Sequence, residues 1–88
     1  MNRTEITDEN IEKAIEDFRK MLKFRLLQKG RGTFASRHEI MGVTECEVAE
    51  LNAAIEHDGM ADIKHELLDV AVGCLFGVAC INQGTLDW

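Results

Sequence analysis

Residues 36–70 read SRHEIMGVTECEVAELNAAIEHDGMADIKHELLDV, from Ser36 to Val70. This stretch decides the fold. Ser36 followed at the third position by Glu39 is a capping-box pattern, which starts a helix. From Arg37 to His57 the apolar residues Ile40, Val43, Leu51 and Ala54 recur at helical spacing. Asp58-Gly59 then makes a turn. A second helix starts near Met60 and continues through Val70. Two helices joined by so short a turn are expected to lie antiparallel as neighbours. Each carries a carboxylate pair at i and i+3: Glu47-Val-Ala-Glu50 and Glu66-Leu-Leu-Asp69. Such pairs point off one side of a helix. Here that side is apolar, shared with Ile40, Val43, Leu51 and Ala54 in the first helix and with Asp62, Val70, Gly73 and Gly77 in the second. Fifteen residues separate Glu50 from Glu66, so the two pairs are expected to face each other across the hairpin.

The remainder extends this pattern. Thr7 or Asp8 can cap a helix running from Asp8 to Lys29, with Asp8 and Glu9 at the positive end of its dipole. Ile11, Ile15, Phe18, Leu22 and Leu26 form its apolar stripe. Gly30-Arg31-Gly32 ends it, and a loop through Thr33, Phe34 and Ala35 leads to Ser36. The third helix is expected to run from Met60 to Asn82, before Gly84. Beyond Leu67 it is apolar almost all round apart from Asp69, so it has to be covered on every side. Gly73 and Gly77, four residues apart, suit the close approach of a second helix. The expected fold is therefore all-α: an antiparallel helical core of three helices, completed into a bundle by oligomerisation. Residues 1–88 make a single domain.

Composition agrees. A chain of 88 residues buries roughly 60–65% of its unfolded surface, a modest core for a monomer. There is no proline to interrupt a helix. The net charge of −6 argues against nucleic acid as a partner. Cys46, Cys74 and Cys80 are odd in number and contain no CxxC, so they read as small buried hydrophobes in a reducing compartment. The first twenty residues are too charged for a signal peptide. The apolar run Val70 to Ile81 is too short to span a bilayer. A cytoplasmic protein with no membrane partner is expected.

Carboxylates on a core-facing stripe need a counter-charge, since an unpaired buried charge costs several kcal/mol. A divalent cation supplies it economically. Four oxygen donors, Glu47, Glu50, Glu66 and Asp69, suit Mg²⁺ or Mn²⁺. Arg25, Lys29, Arg31 and Arg37 cluster near the first loop and as a group can grip phosphates, although basic residues there also complement a helix C-terminus. Lys64 reads as a surface residue. Asp62-x-x-His65 has metal-ligand spacing, but His65 lies about 100° from Glu66 on the helix and is expected to face away. His38 and His57 are expected at exposed helix ends, Glu39 in a cap, and Phe34 and Trp88 in core or interface packing.

The pattern Glu47-x-x-Glu50, a fifteen-residue interval and Glu66-x-x-Asp69 resembles the metal-binding signature of the all-α nucleoside triphosphate pyrophosphohydrolases, and within them the MazG-like proteins. The flanks Glu50-Leu51 with Ala54-Ile55, and Glu66-Leu67 with Asp69-Val70, share in the resemblance, which covers about Ser36 to Cys80. It implies hydrolysis of a nucleoside triphosphate between the α and β phosphates, giving monophosphate and pyrophosphate in nucleotide housecleaning. It implies Mg²⁺ held by Glu47, Glu50, Glu66 and Asp69, with Glu50 or Glu47 accepting a proton from water. Lys29, Arg31 and Arg37 are candidates for substrate phosphate. A homodimer or homotetramer is implied as well. Two other readings remain open on the residues alone: a carboxylate-bridged di-metal protein, for which Glu-x-x-His pairs are expected, and a non-catalytic helical interaction module.

Overall fold

Local signals set the helix ends. In the computed structural model, which describes residues 2–86, α1 spans Asp8–Lys29, α2 Arg37–His57 and α3 Met60–Gln83. Thr7 caps α1: its hydroxyl accepts from the Asn10 amide while the Asn10 side chain accepts from the Thr7 amide, both at 3.1 Å. The Ser36 hydroxyl accepts from the Glu39 amide at 3.3 Å. Glu39 reaches one residue further back than a capping box requires, accepting from the Ala35 amide. It still retires an otherwise orphaned donor at the helix start. α3 runs one residue beyond Asn82 because Gly84 adopts the left-handed conformation, φ 76° and ψ 30°. From there it returns its amide to the last carbonyls of the helix.

The described residues are all-helical, with no strand. α3 is the central element. It packs against both α2 and α1, whereas the backbones of α1 and α2 do not approach each other closely. Ile40 of α2 lies beside Gly77 of α3, and Glu47 beside Gly73. Across α1 and α3, Asp17 bonds Lys64 at 2.8 Å and Arg25 bonds Asp69.

Three helices in this arrangement enclose almost nothing. Ala54 and Cys80, each 2% exposed, are the buried hydrophobic side chains among the described residues. The expected α1 stripe is only partly covered: Phe18, Leu22 and Leu26 are half-buried, while Ile11 and Ile15 face solvent. The chain exposes 6942 Å², against about 5,200 Å² for a compact monomer of this mass. Its radius of gyration is 15.0 Å, where about 12 Å is usual for 88 residues.

One expectation is corrected here. Cys80 is buried, but Cys46 and Cys74 are exposed, because α2 and α3 each have a face that no other helix of the chain covers. α3 as a whole, Met60–Gln83, is also long and apolar enough by length and composition to cross a membrane. Trp88 lies outside the described residues.

Candidate metal centre

The site forms where α1, α2 and α3 meet. Arg25, in the last turns of α1, reaches α3 and binds Asp69 through both oxygens: Nε to Oδ1 and Nη2 to Oδ2, each 2.8 Å. A planar guanidinium on a carboxylate is the strong, two-bond form of the ion pair. Both side chains are largely buried, 17% and 13% exposed. The pairing holds the Arg25 pKa above its ordinary value, with Glu47 and Glu66 adding to the effect. Arg25 Nη1 also donates to Gln28 Oε1 at 2.6 Å.

Glu47 projects from α2 towards α3. Its Oε1 lies 3.8 Å from the position a Cβ would take on Gly73. Burial pushes its pKa above the ordinary carboxylate value, the nearby Asp69 and Glu50 push in the same direction, and Lys29 and Arg25 oppose them. Glu66 is half-buried, and its Oε2 is sealed from solvent with no hydrogen-bond partner. That is the most informative atom in the molecule. A buried carboxylate oxygen with no donor costs about 1–3 kcal/mol or more, and nothing else among the described residues offers it one.

His65 was expected to face away, yet the structure brings it in. Its Nε2 lies 3.4 Å from Asp69 Oδ2 and 3.1 Å from Arg25 Nη2. A histidine and an aspartate four residues apart share a helix face, and that spacing was the overlooked signal. Donor atoms of His65, Glu66 and Asp69 all lie within 4.8 Å of one another. Asp62, the other half of the Asp62-x-x-His65 pair, stays exposed.

Glu50 is the carboxylate the fold leaves out: it is exposed. It sits about 60° round α2 from Glu47, just beyond the arc that α3 covers. Of the basic candidates, Lys29 lines a cavity of about 210 Å³ together with Arg25, Glu47 and Asp69. Arg31 lines a different, shallower groove with Leu22 and Leu75, and Arg37 is exposed at the start of α2. The three do not converge as one phosphate grip. Lys64 is committed to Asp17, in keeping with a surface role.

The cavity has two characters. Its polar end holds Arg25, Lys29, Glu47 and Asp69; its apolar wall is Leu26, Phe34, Val43, Val72 and Phe76. Phe34 packs edge-to-face on Phe76 with ring centroids 5.3 Å apart, so the loop before α2 supplies part of the wall.

The donors have the chemistry a divalent cation takes: Glu66 Oε2 is unsatisfied, and donor atoms of Asp69 and His65 lie within 4.8 Å of it, while Glu47 approaches Asp69 from α2 but stands outside that group. One element acts against immediate coordination: Arg25 already serves as the counter-charge of Asp69. Comparison with protein-family models, curated proteins and solved structures finds no match to this chain.

Proposed function

We propose that this protein is a Mg²⁺-dependent nucleoside triphosphate pyrophosphohydrolase similar to the MazG-like proteins, with α2 and α3 as an antiparallel hairpin that homo-oligomerisation completes into a bundle. The observation that carries the reading is the unpartnered, buried Glu66 Oε2 with Asp69 and His65 donor atoms within 4.8 Å of it on α3, and Glu47 of α2 close enough for its charge to be felt by Asp69. Mn²⁺ can replace Mg²⁺ on the same oxygen donors. The free thiols and the acidic charge accord with a cytoplasmic protein.

A divalent cation held by Glu47, Glu66 and Asp69, joined by Glu50 from the rim, would neutralise the triphosphate and stabilise charge on the leaving pyrophosphate. The chain's own groups do the rest. Lys29 and Arg25 present positive charge at the polar end of the cavity. The apolar wall with Phe34 and Phe76 gives the nucleoside a water-poor surface on which a base can pack. Glu47 or Glu50 would accept a proton from the attacking water. Water attack at the α phosphorus would break the bond to the bridging oxygen and release monophosphate and pyrophosphate.

Incubation with Mg²⁺ and a panel of ribo- and deoxynucleoside triphosphates tests this. The expected products are monophosphate and pyrophosphate, lost in Glu66→Gln and Asp69→Asn. Orthophosphate in place of pyrophosphate, or no turnover with either Mg²⁺ or Mn²⁺, overturns the enzymatic reading and favours a non-catalytic module. The presence of His65 in the cluster favours a second reading, a transition-metal site, since imidazole suits those ions better than Mg²⁺. An optical band that appears on adding Fe²⁺ under air would mark it.

A further inference from the structure

We infer that the exposed face of α3 is a two-fold interface with a second copy of this chain, α3 pairing antiparallel with α3 of the partner and crossing at Cys74. Leu67, Ala71, Cys74, Val78 and Ile81 follow one another at spacings of three and four along α3, and all five are exposed. They make an uncharged stripe about 21 Å long on a helix whose other sides already meet α1 and α2. The inference deepens the oligomeric part of the proposed function and does not depend on its chemistry.

Three observations single out a second copy as the occupant. The first is area. The chain exposes 6942 Å², about 1,700 Å² more than a compact monomer of its mass. A stable interface removes about 800 Å² from each partner, and obligate dimers remove more. The second is the symmetry of the stripe. Cys74 is its midpoint, seven residues from Leu67 and seven from Ile81. An antiparallel two-fold places Cys74 on its own copy, Leu67 on the partner's Ile81 and Ala71 near the partner's Val78. Large side chains thus meet at the ends and small ones at the centre, which lets the helices approach to the short end of the usual 8–10 Å. A surface that complements itself is what a two-fold contact requires. The third separates a protein from a bilayer. Asp69 lies about 160° round α3 from the stripe and is tied to Arg25 of α1, so the helix carries a charged side that a soluble neighbour already covers.

The thiols supply the test. The purified full-length chain is sized by analytical ultracentrifugation, then oxidised briefly with copper(II)-phenanthroline under air and run on a non-reducing gel. Copper and dioxygen accept the two electrons as two thiols lose their protons and join. A disulfide requires Cα atoms about 4.4–6.8 Å apart, and two copies of one residue come that near only at the two-fold crossing. The expected result is an even-numbered oligomer that cross-links in the wild type and in Cys46→Ser, with cross-linking lost in Cys74→Ser. Val78→Glu is expected to dissociate it with its helical circular dichroism kept, while Val48→Glu, on the exposed face of α2, leaves it assembled. An oligomer that cross-links only through Cys46, or that survives Val78→Glu, overturns the α3 pairing and leaves the oligomeric reading standing. A monomer at micromolar concentration overturns both. Co-flotation with phosphatidylcholine–phosphatidylglycerol vesicles assigns the stripe to a bilayer and overturns the pairing too.

Discussion

The guanidinium of Arg25 on α1 grips the carboxylate of Asp69 on α3 through two bonds of 2.8 Å, across 44 positions of sequence. This pair joins α1 to the helix that carries half of the candidate metal donors. It also neutralises one of those donors, so the metal-free site is stable with Arg25 acting as its cation.

Removing the guanidinium leaves Asp69 largely buried without its main counter-charge. Arg25→Met is expected to lower the stability of the metal-free protein by about 2–3 kcal/mol, below the full cost of breaking a sealed pair because both side chains keep some solvent contact. Adding Mg²⁺ should recover part of that loss, since a bound cation takes over the same charge. Urea titrations in EDTA and in Mg²⁺ measure both values. Equal losses in the two conditions would show that Asp69 and the cation are not linked.

Glu66 gives a prediction of opposite sign. Its Oε2 is sealed and unpartnered, so replacing the side chain with an apolar one of similar length removes a desolvation penalty. Glu66→Met is expected to raise metal-free stability by about 1 kcal/mol. It should also abolish the rise in melting temperature that Mg²⁺ gives the wild type. A destabilised Glu66→Met protein in EDTA would mean that this oxygen already has a partner in solution.

Two carboxylates give the metal-free protein opposing pH limbs. Asp17 is held down to about 2 by its bonds to Lys13 and Lys64. The unfolded chain takes up that proton first as pH falls, so the Asp17 contribution is full above about 3.8 and is lost on acidification towards 2. Glu47 behaves the other way. Its folded pKa is raised, chiefly by burial, so the folded state keeps the proton longer. Its contribution is full below 4.5 and declines as pH rises through the folded value. Asp17→Asn should flatten the acid limb and Glu47→Gln the limb above pH 4.5, as read from urea midpoints in EDTA. Glu47→Gln should also eliminate turnover, separating the stability of this residue from its chemistry.

The helices were legible because their ends are written in neighbouring residues: Thr7, Ser36, Asp58-Gly59 and Gly84 each act within a turn of their own position. Glu47, Glu66 and Asp69 were legible because helical periodicity put them on covered faces. Glu50 shows the limit of that reasoning. The apolar stripe of α2 was drawn wide enough to include it, but within the chain α2 packs closely only against α3, and one close neighbour covers a narrower arc than two. Arg25 and His65 show a second limit. Among ten basic side chains, no local rule selects the one that crosses from α1 to Asp69. A helical wheel also gives the direction of a Cα–Cβ bond, not the reach of an imidazole to the next turn. Glu66 was legible as a carboxylate on a covered face, but that one of its oxygens has no partner is visible only in the structure.

Gly73 and Gly77 supply the last test, because both face α2 but neither is pressed against it. A Cβ on Gly77 would lie 3.9 Å from Ile40 Cδ1, and one on Gly73 3.8 Å from Glu47 Oε1. Those are ordinary contact distances, so close helix approach does not require either glycine. Both have negative φ in mid-helix, where alanine is favoured by about 0.5–1 kcal/mol. Gly77→Ala, one turn further along α3 from the carboxylates, should therefore stabilise the protein by that amount and leave Mg²⁺ binding unchanged. Gly73→Ala should bring a similar gain, with its Cβ in ordinary contact with Glu47 Oε1 and the Mg²⁺-induced rise in melting temperature kept. If Gly77→Ala instead destabilises the protein, α2 and α3 pack more closely in solution than these distances show.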